Sequence, residues 1–193
     1  PLVERLRQHV LTGEKLHADD TPVPVLAPGD GKTKTGRLWT YVRDDRPAGN
    51  EAPPAVWFAY SPNRKGEHPQ KHLAKFKGIL QADAYSGFRK LYEPGLDGEP
   101  LIREAACWAH LRRDFHDVWK ATGSPIAKQA LDRIGALYDI ERGISGKPAE
   151  LRQQVRQQHS KPHIDAFRAW CEAQLSCIPG KGDLAKAIRY ALH

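Results

Sequence analysis

Strand-type patterning is confined to the first part of this 193-residue chain. Short runs rich in β-branched and aromatic residues recur between residues 15 and 108, as is typical of β-strands. Beyond His110 the apolar residues return at helical spacing instead, as in the series Ile126, Ala130, Ile134, Leu137 and Tyr138. Strands followed by helices predict an α/β unit with an all-helical layer or insertion after it.

The first part is predicted to form a mixed sheet of about five strands with flanking helices. The expected strands cover residues 15–19, 37–43, 55–60, 79–83 and 102–108, and short helices are expected at 2–12, 68–76 and 85–92. The first three strands follow in succession and predict an antiparallel meander. The helix before the fourth strand predicts that this strand returns parallel to an earlier one. Pro22 and Pro24 restrict the continuation of the first strand to a sheet edge or an irregular extension.

The composition indicates a folded protein with an excess of positive charge. The 30 Lys and Arg residues exceed the 23 Asp and Glu residues, which gives a formal net charge of +7. This excess favours polyanionic partners such as nucleic acid, although it is spread along the chain. No apolar run reaches the roughly 18 to 20 residues of a membrane span, and no signal-peptide pattern begins the chain. The expected location is therefore the cytoplasm, in association with the nucleoid.

Two aspartates stand where predicted strands end. Asp19 ends the first strand, and Asp83 ends a strand whose other residues are apolar. Functional groups in open α/β sheets gather at the carboxyl ends of parallel strands. If the first and fourth strands are parallel neighbours, the two carboxylates converge.

Converging carboxylates repel one another, and a divalent cation removes this cost. Oxygen-only ligands favour Mg²⁺ or Mn²⁺, and two such ions about 3.5 to 4 Å apart can activate a nucleophile and stabilise the leaving oxygen in phosphodiester transfer. An aspartate at a strand end also commonly caps a helix or a turn. Taken singly, each aspartate is more typical of a cap than of a metal ligand.

Five ordered motifs connect these aspartates to a known family. They are His17-Ala18-Asp19-Asp20-Thr21-Pro22-Val23, Gly36-Arg37-Leu38-Trp39, Tyr60-Ser61-Pro62-Asn63-Arg64-Lys65-Gly66, Leu80-Gln81-Ala82-Asp83-Ala84-Tyr85-Ser86-Gly87 and Cys107-Trp108-Ala109-His110-Leu111-Arg112-Arg113. Together they resemble successive motifs of the insertion-sequence-66 family of bacterial transposases, and the helical remainder is similar to that family as well. The number and order of the motifs make the resemblance specific.

The resemblance implies a ribonuclease-H-like catalytic core of the DDE class, in which metal-bound carboxylates cut and join DNA ends. It places the first and second catalytic, metal-binding residues at Asp19 and Asp83, with Mg²⁺ or Mn²⁺ as the cofactor. Asp20 is an accessory candidate, because the family commonly has a second acidic residue there that is not the ligand. The organisation it implies is a leading helix, a partial catalytic core and a helical insertion region, at residues 1–13, 14–120 and 121–193.

The third acidic residue of the family is a glutamate, in a segment that follows the helical insertion. No such segment occurs before His193, and Glu141, Glu150 and Glu172 stand in other contexts. The chain also contains no Met, even at position 1. We therefore expect a catalytic-domain fragment that is inactive alone. Its parent protein would cleave and transfer DNA strands at transposon ends, with transposon-end and target DNA as partners and a homo-oligomer as a candidate assembly.

Basic residues supply candidate contacts with DNA phosphates, because such side chains neutralise phosphates without reading bases. The candidates are Lys32, Lys34, Arg37, Arg64, Lys65, Arg112 and Arg113. An ordinary solvated, charged loop carries similar residues. His110 is an accessory candidate beside the carboxylates or a phosphate, and equally an ordinary residue at a helix start. Cys107 and His110 have the spacing of half a zinc site, but a closed site needs about four ligands.

Two other functions stay open at this point. A noncatalytic DNA-binding or structural remnant would keep the fold without the chemistry, and metal-dependent DNA nicking separates it from a transposase. A metal-dependent nuclease or repair enzyme on the same fold would place another acidic residue, Glu104 or Asp114, in the site.

Overall fold

Five strands form one mixed sheet in the first part of the chain. They are β1 (Lys15–Val25), β2 (Lys34–Arg43), β3 (Ala55–Ser61), β4 (Gly78–Ala82) and β5 (Ile102–Ala106). Their order in this computed structural model is β3-β2-β1-β4-β5. The first three strands pair antiparallel, whereas β4 joins β1 and β5 joins β4 in parallel. The predicted α/β class, the meander and the parallel return of the fourth strand are confirmed, and the sheet is consistent with the ribonuclease-H-like fold that the resemblance implies.

The structure describes residues 1–29, 31–95 and 98–193. Asp30, in the turn that the sequence predicts before β2, and Leu96 and Asp97, in the loop that it predicts before β5, lie outside the described residues. Contacts divide the chain into two units, Pro1–Cys107 and Trp108–His193. The sequence prediction places the end of the core at residue 120, and that boundary stays a prediction.

Two prolines lie in the part of β1 that has a paired strand on one side only. β1 pairs with β4 only over Lys15–His17, but it pairs with β2 as far as Val25. Pro22 and Pro24 therefore lie where β1 has a neighbour on one side only, which is where a strand tolerates a residue without an N–H donor. The predicted edge is confirmed, and the strand continues beyond the predicted end at Asp19.

One face of the sheet carries the core of the first unit. Alternate residues of each strand point to that face, and α1 (Leu2–Leu11), α2 (Glu67–His72) and a 3-10 helix (Ser86–Tyr92) contribute to the unit. The helix predicted at 85–92 is confirmed, and it has 3-10 geometry. The largest fully buried side chains of this core are Trp39, Tyr41, Phe76, Phe88, Leu16, Leu73 and Leu80. On the opposite face of β3, Val56, Phe58 and Tyr60 are exposed.

The second unit contains helices and their connections, as the helical spacing predicted. The helices are α3 (Trp108–Thr122), α4 (Pro125–Gly143), α5 (Ala149–Val155), α6 (Lys161–Cys177) and α7 (Asp183–Leu192), with a π-helical turn at Arg156–Ser160. Ser124 caps α4 by accepting a hydrogen bond from the N–H of Ala127 at 3.3 Å. The unit has its own apolar core, which includes Leu111, Phe115, Ala130, Ile134, Phe167, Cys171 and Ile188. None of the described helices has the length and apolar character needed to cross a membrane.

Truncation of a core leucine should destabilise the protein far more than the same truncation at the surface. Leu80 is 0% exposed and Leu26 is 83% exposed. We expect Leu80→Ala to lower the free energy of unfolding by about 2 to 5 kcal/mol, because it removes buried methyl groups and leaves a cavity. Leu26→Ala should change it by no more than about 0.5 kcal/mol. Urea denaturation of both variants measures this, and equal losses would contradict the assignment of the core.

His72 packs edge-on against the rings of Trp39, Tyr41 and Trp57. Burial, with smaller contributions from neighbouring positive charges, lowers the pKa of His72 from 6.5 to about 4. The unfolded chain therefore binds a proton between these pH values that the folded chain does not. Because the His72 ring is only half-buried, solvent screens part of this effect, and we expect stability to fall by about 1 to 2 kcal/mol as the pH drops from 6.5 to 4.

The measurement is urea denaturation at several pH values in that window, for the wild type and for His72→Phe. The wild-type protein should lose more stability with falling pH than the variant. Parallel losses in the two proteins would show that His72 is not the group responsible.

Candidate active site

Asp19 and Asp83 lie at matching positions on neighbouring parallel strands. The last residue pair that joins β1 to β4 is His17 with Gln81, and each aspartate follows that pair by two residues. β4 ends at Ala82, so Asp83 comes directly after it, whereas β1 continues beside β2. Because parallel strands rise by the same amount per residue, both aspartates come just beyond the paired part of the two strands.

Side-chain alternation along β1 separates the two adjacent aspartates. Leu16 and Ala18 are buried, and Asp20 follows on the same face with its side chain only 2% exposed. Asp19 belongs to the opposite face and is exposed; its Oδ1 accepts a hydrogen bond from the backbone N–H of Asp20 at 2.9 Å. Within the described part of the chain Asp19 forms no salt bridge. The two neighbours therefore have different environments.

Two arginines bind the Asp20 carboxylate. Arg64 donates from Nη2 to Oδ1 at 2.7 Å and from Nε to both oxygens, at 2.9 and 3.0 Å. Arg37 donates from Nη1 to Oδ2 at 3.0 Å. A buried carboxylate is stable only when cations and hydrogen bonds replace its water, and these contacts do so. Partial burial lowers the pKa of the Arg64 guanidinium, but its bonds with Asp20 outweigh this and the pKa stands above its ordinary value.

Arg64 also joins Asp20 to Asp83. Its Nη2 atom, which lies 2.7 Å from Oδ1 of Asp20, donates to Oδ2 of Asp83 at 3.0 Å. Since both oxygens contact the same nitrogen, they are at most about 5.7 Å apart. The structure therefore brings Asp20 and Asp83 together through a shared guanidinium.

The aromatic ring of Tyr85 packs against the Arg64 guanidinium. The Arg64 carbon Cζ lies 4.1 Å from the centroid of the Tyr85 ring, and the Tyr85 hydroxyl donates to the Arg64 carbonyl. The backbone N–H of Tyr85 donates to Oδ1 of Asp83 at 3.1 Å. The same ring packs against Trp39 and Phe88 of the core. Tyr85 thus connects the apolar core to Arg64 and to Asp83.

Two glycines allow the loops after β3 and β4 to meet at this point. A Cβ atom at Gly66 would lie 2.7 Å from the carbonyl oxygen of Gly87, closer than side-chain carbons approach backbone. A Cβ atom at Gly87 would overlap the ring of Tyr85. Both positions therefore need glycine for the segment that holds Arg64 to approach the segment that holds Asp83.

The carboxylate oxygens at this edge of the sheet are of the ligand type that Mg²⁺ prefers. Asp19 presents an exposed carboxylate, and the hydrogen-bonded oxygens of Asp83 can each accept a further interaction. Residues 1–29, 31–95 and 98–193 contain no group of three or more His, Cys, Asp or Glu side chains that could hold a metal ion. The contacts of Arg64 join Asp83 to Asp20 and not to Asp19, so a cation shared by Asp19 and Asp83 stays a prediction.

The basic residues proposed as phosphate contacts fall into two groups. Arg37 and Arg64 bind Asp20, so both are engaged inside the protein. The other five are exposed, at the start of β2, on the loops beside β2 and β3 or on α3: Lys32, Lys34, Lys65, Arg112 and Arg113. The Asp20 contacts were missed from the sequence, although the alternation of Leu16, Ala18 and Asp20 was a signal for the buried carboxylate.

The remaining candidates lie apart from this cluster in the chain. Cys107 is a half-buried free thiol at the end of the first unit. His110 belongs to α3 in the second unit, where its Nδ1 atom is buried without a hydrogen-bond partner in the described structure. Glu104 is exposed on β5, and Asp114 is half-buried on α3. Neither of these two acids belongs to a metal-binding group of the described residues.

Comparison with known proteins places the whole chain in one family. The model of the family described as "Transposase IS66 family" matches residues 1–193. The protein y4hP of Sinorhizobium fredii (strain NBRC 101917 / NGR234) is 41% identical over 204 residues, covering 100% of this chain and 36% of that protein. Two further proteins of the same strain, y4qI and y4jD, are 39% and 38% identical to this chain, which covers 36% and 38% of their lengths. The chain spans little more than a third of the length of these relatives.

The ion pairs of Asp20 give a prediction about stability. Arg64→Gln leaves the buried Asp20 carboxylate with one arginine instead of two. We expect the free energy of unfolding to fall by about 1 to 3 kcal/mol, because a buried acceptor loses charged donors. The control is Arg168→Gln, which breaks an exposed ion pair with Glu172 and should cost no more than about 0.5 kcal/mol.

Urea denaturation of the two variants makes this comparison, and a double-mutant cycle with Asp20→Asn isolates the coupling. The double variant Asp20→Asn with Arg64→Gln should lose less stability than the sum of the single variants. Strict additivity, or an Arg64→Gln variant as stable as Arg168→Gln, would rule out the pair as a stabilising contact.

Proposed function

This chain belongs to the IS66 family of transposases, and from that premise we propose that its sheet is part of a DDE-type catalytic core for DNA cleavage and strand transfer at transposon ends. The observation that carries the proposal is the matching position of Asp19 and Asp83 on neighbouring parallel strands. Family membership supports a transposase role.

In this proposal Asp19 and Asp83 are the metal-binding carboxylates. Asp19 is suited to that role because it is exposed and carries no cation partner in the described part of the chain. Asp20 is unsuited to it, because two arginines already neutralise its buried carboxylate. Bound Mg²⁺ or Mn²⁺ would polarise the phosphate and lower the pKa of a water or DNA 3′-hydroxyl nucleophile.

Arg64 has a positioning role in the same proposal. Its bidentate contact with Asp20 and its stacking on Tyr85 fix the guanidinium, which in turn holds Oδ2 of Asp83. The Tyr85 N–H holds the other oxygen. Rigid support of this kind matters because a displacement of about 1 Å in a catalytic group can cost on the order of a hundredfold in rate.

A noncatalytic DNA-binding or structural remnant of a transposase is the alternative. It would keep the sheet, the Asp20 ion pairs and the basic surface, and it would have no need of the Asp19 carboxylate. Metal-dependent nicking of DNA by a longer form of the protein that includes the third acidic residue, lost on Asp83→Ala, would favour the transposase. DNA binding that is indifferent to both aspartates and to the metal would favour the remnant.

Metal affinity provides the direct test of the proposed ligands. We expect Mn²⁺ titration, followed by electron paramagnetic resonance of the free ion, to show that Asp19→Asn and Asp83→Asn each weaken binding at least about tenfold. Each substitution replaces a charged oxygen ligand by a neutral amide. Asp165→Asn is the control, since Asp165 is exposed and paired with Lys161 on α6.

Adjacent aspartates can be told apart in the same titration. Asp20→Asn should weaken Mn²⁺ binding less than Asp19→Asn does. The reverse order would assign the ligand to Asp20, and equal affinities for the wild type and all variants would refute a metal site at this edge of the sheet.

A further inference from the structure

The exposed face of α3 carries basic and aromatic residues without any acidic residue between them. On a helical projection, residues at spacings of three, four and seven share a face, and here these are Arg112, Arg113, His116, Trp119 and Lys120. The two arginines and Lys120 are exposed, and Trp119 is 39% exposed. The apolar residues of α3 point the other way, into the core of the second unit.

The cations of this face lack the intramolecular partners that the cations of α4 and α6 have. Every Lys and Arg of α4 and α6 has one: Lys128 pairs with Asp132, Arg142 with Asp139, Lys161 with Asp165 and Arg168 with Glu172, and Arg133 stacks on Trp170. By contrast, Arg112, Arg113 and Lys120 make no salt bridge and no side-chain hydrogen bond with any described residue. Three positive charges on one face are thus available to an external anion.

A shallow cavity of about 470 Å³ opens on the same face. Its lining contains two guanidinium groups, an imidazole and a phenol but no carboxylate: Ala109, Arg112, Arg113, His116 and Tyr138. Such a set offers hydrogen-bond donors and positive charge, which is the chemistry that binds a phosphate group. The lining therefore favours an anion over a neutral or cationic ligand.

The acidic residues of α3 stand at the margins of this face. Asp117 contacts His116, with 3.5 Å between Oδ1 and Nδ1. Asp114 lies toward the core side of the helix, and burial raises the pKa of its carboxyl above the ordinary value, ahead of weaker contributions from neighbouring charges.

We infer that this face of α3 is a docking surface for the phosphate backbone of DNA. This inference rests on the proposed function, in which DNA is the partner of the protein. From Arg112 to Lys120 the helix advances about 12 Å, at 1.5 Å per residue. Phosphates follow one another about every 3.4 Å along the axis of one strand of a duplex. The three cations therefore extend over about the same length as a few consecutive phosphates. Contacts with phosphates do not distinguish one base from another.

The test compares two triple variants with the same change in charge. One neutralises the α3 face, as Arg112→Gln with Arg113→Gln and Lys120→Gln. The control neutralises ion-paired cations elsewhere in the unit, as Lys128→Gln with Arg142→Gln and Lys161→Gln. Fluorescence anisotropy with a labelled duplex of arbitrary sequence gives the association constant at several salt concentrations, and circular dichroism verifies that each variant is folded.

The α3 variant should bind at least about tenfold more weakly than the wild type near 0.1 M salt. Its slope of log affinity against log salt should be shallower by up to about 2.7, since each lost phosphate contact contributes about 0.9. The control should stay within about threefold of the wild type. Equal losses in the two triple variants would overturn the docking surface, because net charge alone would then explain binding.

Failure of this inference is distinguishable from failure of the proposed function. A wild-type chain that binds duplex DNA, with equal losses in both triple variants, overturns only the α3 surface. A wild-type chain that binds no duplex DNA overturns the surface and contradicts the DNA partner as well. The Mn²⁺ titration of the Asp19 and Asp83 variants tests the catalytic assignment independently of either result.

Discussion

The buried ion pair between Asp20 and Arg64 is the contact on which the geometry of the candidate site depends. A carboxylate that is 2% exposed needs strong donors, and the bidentate guanidinium supplies them. Once Arg64 is held in this way, its remaining contacts with Asp83 and Tyr85 follow from the same fixed position. The orientation of the Asp83 carboxylate therefore depends on Arg64, whose position the buried Asp20 fixes.

Much of the fold followed from local patterns in the sequence. Runs of β-branched and aromatic residues predicted the five strands, and helical spacing after His110 predicted an all-helical second unit, as observed. Even the edge character of β1 near Pro22 and Pro24 was predicted, because a missing N–H donor limits where a strand can pair. These features depend on a few neighbouring residues, so a single sequence contains the information that determines them.

The site was less accessible to the same reasoning because its contacts are nonlocal. Arg64 lies 44 positions after Asp20 in the chain, and a guanidinium in a polar loop resembles a free phosphate contact when it is seen only in sequence. Period-two alternation after Leu16 does predict that Asp19 and Asp20 face opposite sides of the sheet. What it cannot supply is the partner of the buried one, since that depends on how the loops after β3 and β4 meet.

The distribution of ion pairs explains why net charge predicted a polyanionic partner without locating it. A formal charge of +7 counts Arg37 and Arg64 equally with Arg112 and Arg113. Yet the first two neutralise a buried carboxylate, whereas the other two have no ion-pair partner in the described structure. Only cations whose charge is not already compensated can exchange counterions for phosphates. The location of a nucleic-acid surface is thus determined by which charges the fold leaves unpaired, and sequence composition does not contain that information.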